Sequence, residues 1–386
     1  LIRSIPLKTE LNQHIHALIR DLTAAGIEVG LQVAAYLDGE CIVDTWAGVA
    51  DEATGRPVTG DTLFTSWSTT KGFAATCIHL LAERGQVDYD TPIATYWPEF
   101  AANGKDKITV RHALTHTAGI PQMPKEVTVE MMTDWTAMCT AIASHAPLWQ
   151  PGTMVGYHAW TFGWLLGEIV RRVDGRPLAQ FAREELCRPL GIEDFYLGIP
   201  DDVEPRVATL RQEVDPLANA APDTPGLQVT PPHVTNAFVV NRPDFRRASI
   251  PGGGGIMNAR AIARHYAMLA GHGAVNGVRL LSPARVDQMR TGQTVGLEGF
   301  FGGVASFGLG YGLGGDPAQG ASPAMGSTGG EFGHGGYGGS LGFADPARRL
   351  SFGLTKNLMK EVSDPTQATA YKVATLIREG VDAGRI

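Results

Sequence analysis

Leu63-Phe64-Thr65-Ser66-Trp67-Ser68-Thr69-Thr70-Lys71 runs from a short apolar approach into an S-x-x-K motif, Ser68 to Lys71. The spacing predicts a helix from about Ser68 to Arg84. Phe73, Ala74, Cys77, Ile78, Leu80 and Leu81 give it a buried side, and Gly85 is placed to cap its C-terminus. Residues three apart on a helix share a face, so Lys71 Nζ can reach Ser68 Oγ. A serine hydroxyl is a poor nucleophile until a base takes its proton. Lysine serves as that base when burial and neighbouring positive charge lower its pKa. Ser68 at a helix N-terminus also offers a backbone N–H to an oxyanion. The chain has 12 Ser and 8 Lys, so chance alone gives about 0.25 such motifs and the motif by itself is weak. Its bland reading is a helix-capping serine with an exposed lysine.

Two segments further along change that balance. Trp149-Gln150-Pro151-Gly152 leads to Tyr157-His158-Ala159, then to a helix from about Thr161 to Val173. Tyr157 sits just before that helix, where a loop can aim its phenol into a cleft; near a lysine ammonium its pKa can fall and it can act as general base. Farther on, His334-Gly335-Gly336-Tyr337 enters a C-terminal strand region. Two glycines let that backbone approach a substrate, and the Tyr337 N–H is a second oxyanion donor. Trp67, Trp160, Phe300 and Phe301 are candidate apolar walls.

Three other patterns carry less. Gly338-Gly339-Ser340-Leu341-Gly342 has the form G-x-S-x-G, but a strand follows its serine and no histidine occurs after His334, so a nucleophile elbow with its later acid and histidine cannot be completed. His112 and His116 have zincin spacing, but Ala113 replaces the glutamate and no third ligand can be nominated, so histidines hydrogen-bonded to loops are the better reading. Gly252 to Gly255 precede a helix yet lack the Lys and Ser/Thr of a P-loop, and read as a loop beside a cleft.

The whole chain sets the frame. Its 386 residues, 44% hydrophobic and 18% charged, suffice for a sizeable core. A net charge of −7 argues against a nucleic-acid surface, and no apolar run is long enough to span a membrane. Cys41, Cys77, Cys139 and Cys187 form no C-x-x-C pair and suit buried free thiols in a reducing compartment. Leu1-Ile2-Arg3-Ser4 show no signal-peptide core and there is no N-x-S/T sequon, which points to a cytoplasmic location; the missing initial Met points to a segment removed or left out. Residues 6–25 and about 365–380 read as helices. Hairpins turn at Asp38-Gly39 and at Asp345-Pro346-Ala347-Arg348. Both chain ends therefore supply one sheet domain, 1–66 with 295–386, and 67–294 forms a mostly helical domain with the cleft at the junction. Segment 211–236 reads as a long surface loop. Residues 296–342 hold 19 glycines, suited to tight turns or, in their first part, to a mobile loop.

Taken together and in order, these segments resemble the serine β-lactamase and penicillin-binding-protein superfamily, in particular the class C-like branch and its family VIII carboxylesterases. The likeness runs from about residue 10 to 380. It rests also on Val110-Arg111-His112-Ala113-Leu114-Thr115-His116-Thr117-Ala118-Gly119-Ile120 and Trp164-Leu165-Leu166-Gly167-Glu168-Ile169-Val170. The resemblance implies an α+β fold: an antiparallel sheet sandwiched by helices, with a second, mostly helical lobe. It implies Ser68 as nucleophile, Lys71 and Tyr157 as the base pair, the Ser68 and Tyr337 N–H groups as oxyanion hole, and Gln122 near the cleft mouth. His334, Gly335 and Gly336 would contact substrate. No metal or cofactor is implied, and the partner is a small-molecule ester.

Two departures bear on substrate. The Y-x-N element reads Tyr157-His158-Ala159, without the amide, and the K-T-G element reads His334-Gly335-Gly336, without the cation and hydroxyl that grip a β-lactam carboxylate. Both point to a carboxylesterase for esters, short-chain ones foremost. A β-lactamase, D-aminopeptidase or amidase, an acyltransferase, and a dead binding protein of the same fold are the alternatives.

Overall fold

A computed structural model describes residues 9–213, 217, 219–360 and 362–386. Its centre is a nine-stranded sheet in which every neighbouring pair is antiparallel. The strands are β1 (Gly30–Leu37), β2 (Glu40–Asp51), β3 (Arg56–Pro57), β4 (Thr294–Leu297), β5 (Val304–Phe307), β6 (Gly312–Leu313), β7 (Phe332–Gly335), β8 (Leu341–Asp345) and β9 (Leu350–Lys356). Their order is β4-β5-β6-β7-β8-β9-β1-β2-β3, so the two ends of the chain meet where β9 pairs with β1, Leu31 opposite Lys356 and Leu37 opposite Leu350. Asp38 and Gly39 both take positive φ, 50° and 83°, as the tight β1–β2 turn requires. The glycine-rich stretch that was open between turns and a mobile loop supplies β4 to β6 of this sheet.

Period-2 alternation divides the sheet between two helical layers. Leu31, Val33 and Ala35 of β1 face α1 (Glu10–Ala24) and α5 (Thr369–Asp382) through Ile15, Ile19, Val373 and Ile377, while Ala34 meets Ala259 and Ala263 of α4 (Ala259–Ala270) on the other face. Burying each such Leu or Ile is worth roughly 1.5–3 kcal/mol. The helix expected over 6–25 is seen from Glu10; its first residues, and the Leu1–Ser4 reading, lie outside the described residues. Gly342 and Gly353 are paired across β8 and β9 because α4 lies against them: a Cβ at Gly342 would stand 2.4 Å from Ile262 and Tyr266, and one at Gly353 would stand 2.4 Å from the Ala259 carbonyl. Helix α4 falls within the 67–294 stretch assigned to the helical lobe, yet it packs on the sheet.

The rest of that stretch is largely helical around a second core. Helices α2 (Thr70–Glu83) and α3 (Thr161–Asp174) pack together through Phe73, Ile78, Trp164 and Leu165 among others. A small antiparallel sheet, with Ile256–Met257 between Phe64–Thr65 and Phe195–Tyr196, carries the chain into α2. Cys77, Cys139 and Cys187 are buried, Cys41 is half-buried, and all four are free thiols.

Candidate active site

The turn that carries Ser68 is fixed from both flanks. The Ser66 N–H donates to the Gly255 carbonyl at 2.9 Å, and Trp67 takes φ +48°, a left-handed conformation costly for a bulky residue. The Thr70 hydroxyl holds the Trp67 carbonyl at 2.5 Å, and the Trp67 ring lies edge-on to Tyr337 and Trp160. A 3-10 turn, Trp67–Thr69, then leads into α2. The α-helix therefore begins two residues later than the sequence suggests, and Ser68 sits in the tighter turn before it.

The pairing with Lys71 survives this shift: Nζ is 2.8 Å from Ser68 Oγ. Lys71 is fully buried and donates to the carbonyls of Ala159 and Gly252, each at 2.6 Å. Burial alone pushes its pKa well below the usual lysine value. The neutral amine can keep both carbonyl bonds with its two N–H groups and turn its lone pair on Ser68. The third position of the Tyr157-His158-Ala159 element, which carries no amide, reaches Lys71 through its main-chain carbonyl, a contact no side-chain motif would reveal.

Tyr157 is clamped through its backbone. Its N–H donates to Glu298 Oε1 at 2.7 Å, and the next N–H, of His158, donates to His116 Nδ1 at 3.0 Å. His158 Nδ1 is 2.6 Å from the Gly156 carbonyl and its Nε2 accepts from the Ile120 N–H, so these partners assign a neutral ring protonated on Nδ1. Burial holds the His158 pKa at about 3 and that of His116 well below the usual histidine value. Lys71 Nζ lies 4.9 Å from the centre of the Tyr157 ring. The expected fall in the Tyr157 pKa is not found. Desolvation raises it, and the hydrogen bond to Ser68 offsets that only in part. The resting group is a protonated phenol. His112, for its part, caps the short helix Val110–Leu114 by accepting from the Thr109 N–H at 3.1 Å, and His116 lies beyond that helix at φ +59°.

The glycine strand reaches the same turn. At Gly336 a Cβ would stand 2.5 Å from the Ser66 carbonyl and 2.2 Å from Ser340 Oγ, so only glycine fits there. Ser340, the serine of the G-x-S-x-G decoy, is buried; its hydroxyl donates to the Ser66 carbonyl at 2.9 Å and lies 3.1 Å from Thr69 Oγ1. It braces the Ser66–Thr69 turn from below. Two of the nominated contact residues stand back from the cavity. His334 is buried beside Tyr157, with Nδ1 2.7 Å from the Gly335 carbonyl, and desolvation pushes its pKa to about 3. The Gln122 amide donates to the Ala146 carbonyl, and Gln122 does not line the cavity.

Ser68, Tyr157, Gly335, Gly336 and Tyr337 open on a cavity of about 770 Å³. Trp67, Trp160, Phe300, Phe301, Phe307 and Leu217 give it apolar walls, and among the described residues no Lys or Arg lines it. Among the described lining residues the one acid, Glu298, is consumed by the N–H groups of Tyr157, Phe300 and Phe301, the last two at 2.9 and 2.5 Å. Glu298 and Phe307 were not singled out in the sequence, and nothing in their spacing marks them. Segment 211–236 is not simply a surface loop: Gln212, Leu217, Thr224, Thr230 and Thr235 form one side of the cavity. Among the described residues no cluster of His, Cys, Asp or Glu is arranged to hold a metal, and no helix is long and apolar enough to cross a membrane.

A half-buried serine paired with a buried lysine beside a tyrosine, between an antiparallel sheet and helices, defines a serine hydrolase of the β-lactamase type. The chain belongs to the Beta-lactamase family, which it matches over residues 15–376. It is 36% identical over 373 residues to the Esterase/beta-lactamase LipL of Mycobacterium tuberculosis strain ATCC 25618 / H37Rv, covering 92% of this chain and 83% of that protein. The crystal structure of a family VIII carboxylesterase superposes with a TM-score of 0.85 at 32% identity, covering 96% of this chain and 98% of that one. A penicillin-binding-protein homologue from Caulobacter crescentus gives 0.84 at 32%, covering 99% and 100%.

Proposed function

We propose that the protein is a carboxylesterase working through an acyl-enzyme on Ser68. The observation that carries this reading is the fully buried Lys71, 2.8 Å from Ser68 Oγ, with carbonyls as its other hydrogen-bond acceptors and a lowered pKa. Neutral Lys71 takes the Ser68 proton as Oγ attacks the ester carbonyl. The N–H groups of Ser68 and Tyr337 receive the developing oxyanion. When the tetrahedral intermediate collapses, the bond from the acyl carbon to the alcohol oxygen breaks. Tyr157, a phenol at rest, gives its proton to that oxygen and is reprotonated from Lys71. Water repeats the sequence to free the acid and Ser68. That no Lys or Arg is found among the described lining residues favours esters over β-lactams, whose carboxylate would be desolvated without a partner.

Parallel assays of a p-nitrophenyl ester and a chromogenic cephalosporin, with wild type and Ser68→Ala, test this. Ester cleavage lost in the variant, with little cephalosporin turnover, is the expected result. Dominant cephalosporin turnover would make the protein a lactamase, and ester cleavage surviving in Ser68→Ala would remove the nucleophile.

A further inference from the structure

The aromatic lining of the cavity that Ser68 opens on falls into two separate contact groups, which form its two sides for substrate. On one, the Tyr157 ring stacks on Phe307 (6.3 Å between centroids, 12° between planes) and meets Phe301 edge-on at 6.5 Å, while Trp149 supports Phe300 at 5.9 Å. Phe300 and Phe301 sit at the tip of the β4–β5 hairpin, and both their N–H groups are pinned by the Glu298 carboxylate, so the tip is held in place. On the other side, Trp67 crosses Trp160 at 6.1 Å and Tyr337 at 5.4 Å, with Gly252 and Gly253 alongside.

The proton transfers tell these sides apart. If the reading above holds, the alcohol oxygen must lie beside the Tyr157 hydroxyl when the acyl–oxygen bond breaks, because Tyr157 delivers its proton. The substituent on that oxygen then extends along the group that Tyr157 shares with Phe301 and Phe307, which leaves the Trp67 and Trp160 group for the acyl chain on Ser68. A space of about 770 Å³ is the size that holds a drug-sized molecule, and a simple short-chain ester would leave most of it empty. We propose that the protein acts on large uncharged esters whose alcohol part is an aromatic or alicyclic group bound by Phe300, Phe301 and Phe307, with the acyl part against Trp67 and Trp160. This rests on Ser68 as nucleophile and Tyr157 as proton donor. The reaction forms the Ser68 Oγ–acyl bond and breaks the acyl–alkoxy bond, with one proton passing from Ser68 to the leaving alcohol. The second half needs only water.

The test is a grid of esters read as variant-to-wild-type ratios, so that intrinsic reactivities cancel. One series holds acetate and varies the alcohol: methyl, benzyl, 2-naphthylmethyl. The other holds methanol and varies the acid: acetate, phenylacetate, naphthylacetate. Phe301→Ala should lower kcat/KM for naphthylmethyl acetate about tenfold more than for methyl acetate, with a shift below twofold along the acid series. Trp160→Phe should show the reverse. Thermal melts and labelling by a serine-reactive probe report whether each variant is folded. Should Trp160→Phe not fold, the Phe301 arm with acyl-enzyme kinetics decides alone. The proposal is overturned if Phe301→Ala acts as strongly on the acid series as on the alcohol series, or slows hydrolysis of an isolated acyl-enzyme as much as its formation. Ser68→Ala retaining cleavage, or no acyl adduct by mass spectrometry, would instead sink the underlying reading, whatever Phe301 does.

Discussion

The two sides of the reactive serine are built differently. Below it, Ser66, Thr69, Lys71, Gly336 and Ser340 interlock within van der Waals and hydrogen-bond distance, on elements anchored in the central and small sheets. Above it, the wall is a hairpin tip and the residues Gln212, Leu217, Thr224, Thr230 and Thr235, brought together from distant parts of the chain and tied to the Ser68 site chiefly through Glu298 and Gln212. The lower side carries chemistry that tolerates little displacement. The upper side carries fit, which can change without altering the reaction. Substitutions on the two sides should therefore separate into losses of kcat and losses of selectivity.

The largest effects belong below. Ser68→Ala should cost at least about 10⁴-fold in ester kcat, and Lys71→Met about 10²–10⁴-fold, as loss of a general base does. In wild type the rate should rise with pH as Lys71 loses its proton and level off well below the usual lysine pKa, since in the proposed mechanism the neutral amine is the working form and burial lowers its pKa. A pH–rate profile that climbs steadily to pH 10 would contradict this.

Next comes acid stability. His79, His158, His265 and His334 are buried neutral, with pKa values pushed by desolvation from 6.5 to about 3. The unfolded chain binds protons at these sites below about pH 6.5 and the folded chain does not. The stability they lend is complete above that pH and is lost as pH falls toward 3, each imidazole adding up to about 1.4 kcal/mol per pH unit. Thermal melts should show Tm constant from pH 7 to 8 and falling steeply between 6.5 and 5. Because two of these rings flank Tyr157, ester activity should be lost together with the fold.

Much of this was open to reading in the chain because the decisive relations are short-range. Ser68 and Lys71 are three residues apart, Asp38-Gly39 is a turn by its own dihedral needs, and Leu11, Ile15 and Ile19 mark a helix face by period. The wall was not legible for the converse reason. Glu298 meets Tyr157 across 141 residues, and nothing near either marks the pairing. The glycine-rich stretch looked loose because strands that pack glycine to glycine, as at Gly312–Gly333, lack the β-branched pattern that announces a strand. The Tyr157 pKa failed for another reason. That reading needs a nearby ammonium, whereas the burial that lowers the Lys71 pKa also removes the charge that would have helped the phenol ionise.

Glu298→Gln is the sharpest probe of the boundary between the sides, set against Ser340→Ala as its counterpart below. Ser340→Ala removes a hydroxyl that binds the Ser66 carbonyl and Thr69, at a cost of about 1–3 kcal/mol. It should lower kcat several-fold with little change in KM, because it touches the nucleophile turn and no wall. In Glu298→Gln the amide oxygen can still accept, but its NH₂ end then faces backbone N–H groups that the second carboxylate oxygen had served. Either the Tyr157 N–H or the Phe300 and Phe301 N–H groups lose their acceptor. If the oxygen stays with the hairpin, kcat falls and KM holds; if it stays with Tyr157, KM for bulky esters rises about threefold or more and kcat holds. Both changing together would mean that the hairpin and the base move as one body, and that the division between a rigid floor and a separable wall stops short of Tyr157.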